Sequence, residues 1–348
     1  MLELPGDLTA ETFLAAYWQK KPLFMPQAID IMRPAVTRNE LAWLATLDDV
    51  ESRIVFTDRA DDRTRYRVET GPFDVEFLQS LPRRDWSLLV HDVEKHLPAL
   101  RRLFAQVPFI PDWRIDDLMI SFAAPGGGVG PHRDNYDVFL CQGIGLREWR
   151  TSTTAIPEDD TASDDLALLR EFSGDEHHVA RQGDVLYLPP GVAHWGTASR
   201  ACITYSIGMR APSYYADPDL QLAEVQPGYL SRAALRRAGK HAPRLGRTVT
   251  ELKQWLQPLA PNPDEITALL ETPAVLHKLR LHGMARIAFD DSTLYLNGTS
   301  RALQDGDREA IAALCARRRL DDALVAALGK RSLRWLLARG AFEIPENK

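Results

Sequence analysis

The chain has 348 residues, of which 45% are hydrophobic and 26% charged, as in an ordinary globular protein with more than one domain. No apolar run reaches the roughly 18 residues of a membrane-spanning helix, and the N-terminal stretch lacks the pattern of a secretory signal. We therefore expect a cytoplasmic protein in which Cys141, Cys202 and Cys315 are buried reduced thiols, because their wide spacing matches no zinc or redox motif.

Charge is unevenly distributed along the chain, whose net charge is −6. Residues 276–348 hold 13 Lys and Arg against 9 Asp and Glu, so this part carries +4 and the remainder carries −10. An acidic body attracts a basic partner, whereas a mildly basic tail attracts an anionic one. These charges bear on how a partner is steered and leave its identity open.

The first 50 residues have helical patterns. Asp7 or Thr9 can cap a helix that runs from Glu11 to Trp18. Apolar residues recur at helical spacing over Thr37–Leu47, which predicts a second helix.

Short strands dominate the middle of the chain. From about residue 53 to residue 210, alternating runs are bounded by Gly, Pro and Asp, as in an all-β sandwich or barrel. These runs are RIVF, RYRVET, WSLLVHDV, DDLMISFA, YDVFLCQ, REWRTS, DVLYLPP and CITYSIGMR. A helical segment over Leu97–Phe104 and a polar, exposed loop over Glu158–Asp165 interrupt them. We therefore predict a mainly β domain, for which the double-sheet jelly roll of the cupin type is one architecture.

Helical patterns return after Arg210. Residues 217–257 include the run SRAALRRAGKHAPRLGR, whose six Lys and Arg indicate either a solvated helix face or nucleic-acid contact. The segment PLAPNP at 258–263 is typical of a linker. Two strand-like runs, ARIAFD and TLYLNG, lie among helices predicted over Asp307–Arg318, Leu320–Ala327 and Ser332–Arg339. Helices with a two-stranded wing predict a winged-helix module.

One glycine-rich stretch has the spacing of a metal site. His132 and Asp134 follow the bend PGGGVGP two residues apart, so on a strand their side chains point to the same face. His194 lies 62 residues later, just after the tight turn PPG. Two histidines and one carboxylate form the facial triad of non-haem iron oxygenases, which leaves positions open for 2-oxoglutarate and oxygen. The remaining histidines are interpreted as structural or surface residues: His91, His96, His177, His178, His241, His277 and His282.

An anionic co-substrate needs a cation in its pocket. Arg147 lies in the run GIGLREW after the strand that follows the metal motif, and its guanidinium could pair with a distal carboxylate. A surface arginine on a strand explains the same pattern. Thr204 and Ser206 lie on the strand after His194, where either hydroxyl could assist and both could equally be ordinary strand residues.

Four segments of the chain form a recognisable set, namely YWQKKPLFM, DDLMISFA, PGGGVGPHRDNYDVFLCQGIGLREW and GDVLYLPPGVAHWG. Together they resemble a known family, the JmjC-type ribosomal oxygenases, and within it the bacterial enzymes that hydroxylate an arginine of ribosomal protein L-sixteen. The resemblance covers essentially the whole chain, and its central motif is long and specific.

The resemblance implies a JmjC (cupin) double-stranded β-helix domain with N-terminal helices over residues 1–212. It implies an α-helical dimerisation region over 213–275 and a C-terminal winged helix over 276–348. In this family iron(II) would be held by His132, Asp134 and His194, and 2-oxoglutarate by Arg147, with Thr204 as a second co-substrate-binding residue. No catalytic acid or base is implied beyond the metal ligands.

The resemblance also implies the reaction, in which Cβ of an arginine in a basic ribosomal loop is hydroxylated with O₂ by a cytoplasmic homodimer. A guanidinium substrate favours carboxylates near the pocket, and Asp116, Asp117 and Asp137 are candidates, although ordinary surface or turn aspartates explain them equally. The acidic balance of residues 1–275 suits a basic ribosomal partner, while the wing and the Arg317–Arg319 run leave nucleic-acid contact open.

Three other functions remain open from the sequence. A metal-dependent cupin that does not use 2-oxoglutarate would have Arg147 pointing away from the metal. A non-catalytic ribosome-assembly factor or regulator would act through the winged helix, although the complete triad argues against it. A protein demethylase, or a JmjC hydroxylase that acts on another substrate, shares the fold and metal, so that only the substrate distinguishes it.

Overall fold

The computed structural model describes residues 2–30, 36–60, 63–110, 112–155, 168–169, 172–209, 228–230, 232, 235–236, 242–252, 260–304 and 306–343. The loop expected over Glu158–Asp165 and most of the helical stretch expected over 217–257 lie outside these residues. The chain forms two compact units, one of residues 1–107 with 115–211 and one of residues 108–114 with 212–348. Within the described ranges, no helix is both long enough and apolar enough to cross a membrane.

The first unit is built on an antiparallel sheet in the spatial order β1-β9-β7-β10-β5-β4-β2-β3, with β6 paired to β10 and β8 to β7. Its strands are β1 (Leu23–Met25), β2 (Ser52–Ala60), β3 (Arg63–Thr70), β4 (Trp86–Val90), β5 (Ile115–Ala123), β6 (His132–Arg133), β7 (Val138–Ala155), β8 (Glu176–Ala180), β9 (Val185–Leu188) and β10 (Val192–Met209). The strands expected from the alternating runs are therefore present, in a mainly β unit.

Two long strands, β7 and β10, run beside each other through the centre of this sheet. The runs YDVFLCQ and REWRTS, which were expected as separate strands, are parts of the single 18-residue strand β7. The run CITYSIGMR likewise belongs to β10, the strand that carries His194. Register shifts between Ala198 and Thr204 bend the pair at its middle, so each strand contributes side chains to two parts of the unit.

Helices cover one part of this sheet, namely α1 (Ala10–Ala16), α2 (Arg38–Leu44), α3 (Val75–Ser80), α4 (Val93–His96) and a 3-10 helix (Pro98–Gln106). Thr9, and not Asp7, caps α1, and Thr37 forms a capping box with Glu40 at α2. Phe13 of α1 packs edge-on against Tyr187 with ring centroids 5.0 Å apart. Aromatic packing thus fixes the N-terminal helix against the strands.

The described residues of the second unit form helices and two small antiparallel sheets. Its elements are a 3-10 helix (Asp112–Arg114), α5 (Ala242–Thr250), α6 (Pro263–Glu271), α7 (Pro273–Leu276), β11 (Arg280–Leu281), β12 (Ile287–Phe289), β13 (Thr293–Leu296), β14 (Thr299–Ala302), α8 (Asp307–Arg317), α9 (Asp322–Leu337) and β15 (Phe342–Glu343). One sheet pairs β11 with β15, and the other consists of β12, β13 and β14. Helix α9 breaks at Gly329, whose φ of 63° and ψ of 167° are not helical. Two helical segments therefore follow α8, as expected.

The wing has three strands, so the prediction of two strands was wrong. β12 pairs with β13, and β13 with β14 through a turn at Asn297 and Gly298, both with positive φ. β14 reads TSRA and has no buried side chain, so it lacks the apolar alternation that reveals a strand in a sequence.

Apolar side chains of the helices and wing form one core, which includes Leu279, Phe289, Ile311 and Leu336, all fully buried. Helix α5 packs on the wing in a neighbouring cluster. The three cysteines are free and buried, as expected.

Candidate active site

The structure brings the three expected metal ligands together. His132 lies on β6 opposite His194 on β10, and Asp134 follows β6. The two imidazole rings have centroids 4.2 Å apart, and His194 Nε2 lies 3.7 Å from Asp134 Oδ2. One ligand atom from each residue lies within 4.8 Å of the others, and among the described residues this is the cluster that could hold a metal ion. The N–H of Gly191 donates to the carbonyl of Asp134 at 2.8 Å, so the PPG turn holds the segment that carries the carboxylate.

Backbone contacts leave the same ring nitrogen of both histidines for a metal. His132 Nδ1 lies 2.9 Å from the carbonyl of Gly130, and His194 Nδ1 lies 3.1 Å from the carbonyl of Val192. A carbonyl oxygen can only accept a hydrogen bond, so each Nδ1 carries the hydrogen and each Nε2 presents its lone pair. The donor set of two Nε2 atoms and a carboxylate fits a divalent iron ion.

Burial keeps His194 in the form that binds metal. Its side chain is 2% exposed, and this burial, with a smaller effect of His132, lowers its pKa to about 4 against the opposing effect of Asp134. The ring is therefore neutral near pH 7, and no proton has to leave Nε2 before a metal binds.

Arg147 is a buried cation in the same unit. Its Nη1 donates to Ser121 Oγ at 3.2 Å and to Thr204 Oγ1 at 3.3 Å, and its guanidinium carbon lies 4.9 Å from the ring centre of Trp149. Nε has no hydrogen-bond partner, and no carboxylate of the described residues pairs with the guanidinium. Burial lowers the pKa of Arg147, so the site holds a cation at a cost that an anionic ligand would offset.

A cavity of about 300 Å³ contains both groups. Its wall includes alternate residues of β5 (Asp117, Met119, Ser121) and of β10 (Thr204, Ser206, Gly208). The register places these on facing rungs, Ser121–Thr204, Met119–Ser206 and Asp117–Gly208. Arg147 bonds to the first rung, and Asp117 stands on the third, roughly 13 Å away at ~3.3 Å per strand residue. Along this wall the cavity therefore has a cationic end at Arg147 and an acidic end at Asp117, and Arg53 and Arg133 line other parts of the cavity.

Of the three candidate aspartates, Asp117 lines the cavity. Asp137 is fully buried and accepts hydrogen bonds from Tyr187 and Gln19, so it joins the N-terminal segment to the sheet. Asp116, which precedes Asp117 on β5, is not part of the cavity wall. His91, which was interpreted as a structural or surface residue, also lines the cavity, and its Nδ1 lies 3.2 Å from Asp117 Oδ2.

Sequence reasoning missed several wall residues, including Arg53, Met119 and Tyr136. Burial, with Asp134 as the next cause, raises the pKa of Tyr136, whose hydroxyl bonds to that carboxylate. The period-two spacing of residues 117, 119 and 121 would have revealed Met119 from the run DDLMISFA. No local pattern points to Arg53, which reaches the cavity through the pairing of β2 with β4.

Known proteins resemble this chain in sequence and fold. A JmjC domain model matches residues 102–216, and a ROXA-like winged-helix model matches residues 242–338. The chain is 34% identical to the ribosomal protein uL16 3-hydroxylase of Escherichia coli over 85% of this chain and 86% of that protein. The chain belongs to the JmjC ribosomal oxygenase family. It is also 38% identical to a probable ribosomal oxygenase of Haemophilus influenzae, over 73% of this chain and 64% of that protein.

Solved structures of the family cover the whole chain. Escherichia coli ribosomal oxygenase YcfD has a TM-score of 0.74 at 29% identity and matches 99% of this chain and 100% of its own. A complex of YcfD with cobalt and 2-oxoglutarate has a TM-score of 0.70, with 99% of each chain covered. These matches confirm the jelly-roll oxygenase domain and the winged helix, and this ribosomal oxygenase is an iron(II)- and 2-oxoglutarate-dependent enzyme.

Proposed function

We propose that this ribosomal oxygenase hydroxylates Cβ of an arginine in a large-subunit ribosomal protein. The observation that carries the proposal is the polarity along one wall of the cavity, where buried Arg147 lies at one end and the carboxylate of Asp117 at the other, and the His-Asp-His cluster lines the same cavity. Such a cavity suits one anionic and one cationic molecule at the same time.

Arg147 would bind the distal carboxylate of 2-oxoglutarate. Its guanidinium is held between Ser121 and Thr204 and lacks an anionic partner, which a carboxylate would supply in a buried, charge-assisted pair. Thr204 Oγ1 also donates to Gln142 Oε1 at 3.1 Å, so this threonine would orient the arginine as well as face the co-substrate. The orientation of Arg147 into the cavity favours this function over a cupin that uses no 2-oxoglutarate.

His132, Asp134 and His194 would hold the iron. When bound, iron and 2-oxoglutarate supply the oxidising chemistry with O₂, and the side chains supply orientation and exclusion of water. The Nδ1 contacts to backbone carbonyls fix both imidazole planes. Val138, Leu140 and Trp149 add apolar wall area that keeps solvent away from the reacting carbon.

Asp117 would accept the substrate guanidinium at the acidic end of the cavity. The uL16 3-hydroxylase of Escherichia coli, whose name gives a ribosomal protein as its substrate, makes a basic ribosomal loop the preferred partner. The charge of −10 on residues 1–275 favours such a loop electrostatically. Substrate encounter would take place in the cytoplasm, with residues 213–275 expected to form a homodimer and the winged helix available for nucleic acid.

The test is co-substrate turnover coupled to substrate mass. The protein is given iron(II), 2-oxoglutarate and a peptide from the basic loop of uL16, and succinate and peptide mass are followed together. We expect peptide-stimulated succinate and a peptide that gains one oxygen on Cβ of arginine, both abolished by His132→Ala and unchanged by His177→Ala, a matched histidine on the exposed strand β8.

Other outcomes would select other functions. Loss of a methyl group from a methylated peptide, with formaldehyde released, would replace hydroxylation by demethylation. Succinate without a modified peptide would keep the oxygenase and discard the substrate. Absence of succinate from protein with bound iron would overturn the proposal in favour of a binding function.

A further inference from the structure

His91 stands at the acidic end of the cavity, and neither the metal site nor the co-substrate site uses it. We propose that His91 is a positioning residue that holds the carboxylate of Asp117 in the orientation that accepts a substrate guanidinium. This inference rests on the proposed function and assigns His91 to substrate specificity.

Strand pairing places His91 beside Asp117. His91 directly follows β4, its backbone N–H donates to the carbonyl of Glu51 at 2.9 Å, and β4 pairs with β5 up to the Val90–Ile120 rung. The imidazole Nδ1 lies 3.2 Å from Asp117 Oδ2, with the two side chains 19% and 11% exposed. A largely buried hydrogen bond of this kind restricts the carboxylate to one rotamer, as the carbonyls around a metal site restrict its histidines.

The other carboxylate oxygen faces a position without a side chain. A Cβ atom at Gly208 would lie 2.8 Å from Asp117 Oδ1, and both residues belong to the cavity wall. His91 contacts Oδ2, and Oδ1 approaches Gly208 so closely that position 208 has no space for a side chain. A guanidinium in the cavity would meet a carboxylate whose direction is already fixed, and fixed polar groups bind at a lower entropic cost.

The other acidic residues near Asp117 have partners of their own. Lys95 pairs with Asp92, both side chains being 1% exposed. Glu94 Oε2 accepts the backbone N–H of Leu118 at 3.0 Å and so holds the residue next to Asp117 from behind the strand. The hydrogen bond of Leu118 to Glu94 and the contact with His91 thus both hold Asp117 in place. Of Asp92, Glu94 and Asp117, it is Asp117 that lines the cavity.

The experiment compares two amides at position 91. The amide nitrogen of asparagine takes the place of Nδ1, whereas that of glutamine takes the place of Nε2. In His91→Leu and His91→Gln we expect the KM for the arginine peptide to rise about tenfold, the worth of one hydrogen bond to a charged group, with little change in kcat or in the KM for 2-oxoglutarate. His91→Asn should keep a KM within about twofold of wild type on the same reasoning.

A citrulline peptide separates positioning from a structural role, because citrulline has the shape of arginine without its charge. The preference for arginine over citrulline should fall in His91→Leu and persist in His91→Asn, while His96→Leu, a histidine of α4 away from the cavity wall, should keep it. The Asn and Gln variants keep a polar side chain, so their comparison stands even if His91→Leu does not fold.

The outcomes separate this inference from the proposed function. An unchanged peptide KM in His91→Gln, together with a raised one in Asp117→Asn, would overturn the role of His91 and leave Asp117 as the acceptor. An unchanged peptide KM in Asp117→Asn would overturn both. Equal losses in His91→Asn and His91→Gln, with kcat lowered as well, would show that His91 supports the fold and has no positioning role.

Discussion

Arg147 is the residue whose contributions to binding and to stability should oppose each other. Its side chain is 3% exposed, its Nε has no hydrogen-bond partner, and its contacts to Ser121, Thr204 and the carbonyl of Gly196 are 3.2, 3.3 and 3.5 Å long. Burying an ion costs several kcal/mol, which a paired anion normally offsets. In the ligand-free protein, no bound anion offsets this desolvation cost.

Replacing Arg147 with methionine should therefore not destabilise the ligand-free protein. Three long hydrogen bonds contribute about 1 kcal/mol each, and the contact with Trp149 about 1–2 kcal/mol. The desolvation cost is of similar or larger size. We expect the free energy of unfolding of Arg147→Met to equal that of wild type or to exceed it by about 1–2 kcal/mol.

The same substitution should remove most of the affinity for 2-oxoglutarate. Two charge-assisted hydrogen bonds to a carboxylate contribute about 3–6 kcal/mol together, so the dissociation constant should rise about a hundredfold to ten-thousandfold. Metal binding should persist, because Arg147 does not touch the ligand triad through any hydrogen bond.

Two measurements check this pair of expectations. Urea unfolding of the ligand-free protein gives the stability, and calorimetric titration of 2-oxoglutarate into the anaerobic iron form gives the affinity. Arg200→Met, an exposed arginine on β10, is the control and should alter neither quantity. A loss of more than about 2 kcal/mol of stability with unchanged affinity would refute the reasoning, because Arg147 would then be a structural cation.

Three further substitutions test other contacts. Gly196→Ala places a Cβ 2.5 Å from the Trp149 ring and 2.7 Å from Arg147 Nε, so it should displace both side chains and weaken 2-oxoglutarate binding about tenfold with metal affinity intact, by calorimetry. Burial raises the pKa of Glu94 to about 7 from 4.5, so folded chains keep a proton that unfolded chains lose, and stability falls as pH rises through that window. Glu94→Gln should thus gain up to about 3 kcal/mol at pH 8 and little at pH 4, by urea unfolding. Gly246→Ala, whose Cβ would lie 2.3 Å from the Tyr295 ring, should lower the melting temperature of the winged-helix unit.

The metal cluster could be predicted because its signals are local. His132 and Asp134 are separated by two residues, which is the period of a strand, and His194 follows a turn whose residues are visible in the sequence. Most strands of the first unit were visible for the same reason, but β1 and β8 were not among the expected runs. Where the sequence carries alternating apolar residues, as in β5, the strand and its inward face follow together.

The acidic end of the cavity could not be predicted, because its signals are not local. His91 and Asp117 are 26 residues apart and meet only because β4 pairs with β5. Register between such strands depends on packing over the whole sheet. The third wing strand was missed for a different reason, since its four residues are polar or exposed and its existence depends on the turn that precedes it.

The short segment Gly143–Gly145 decides which way Arg147 points. Before it, the cavity-facing residues of β7 are the even-numbered Val138 and Leu140, and after it they are the odd-numbered Arg147 and Trp149. An extra residue at a bulge reverses the faces of a strand, and the register with β10 shifts at this point. Gly145 has a φ of 74°, and a Cβ there would lie 2.0 Å from the carbonyl oxygen of Ala201, so only glycine can make the bend. The glycines that precede the arginine are thus the physical reason that its guanidinium lies inside the cavity.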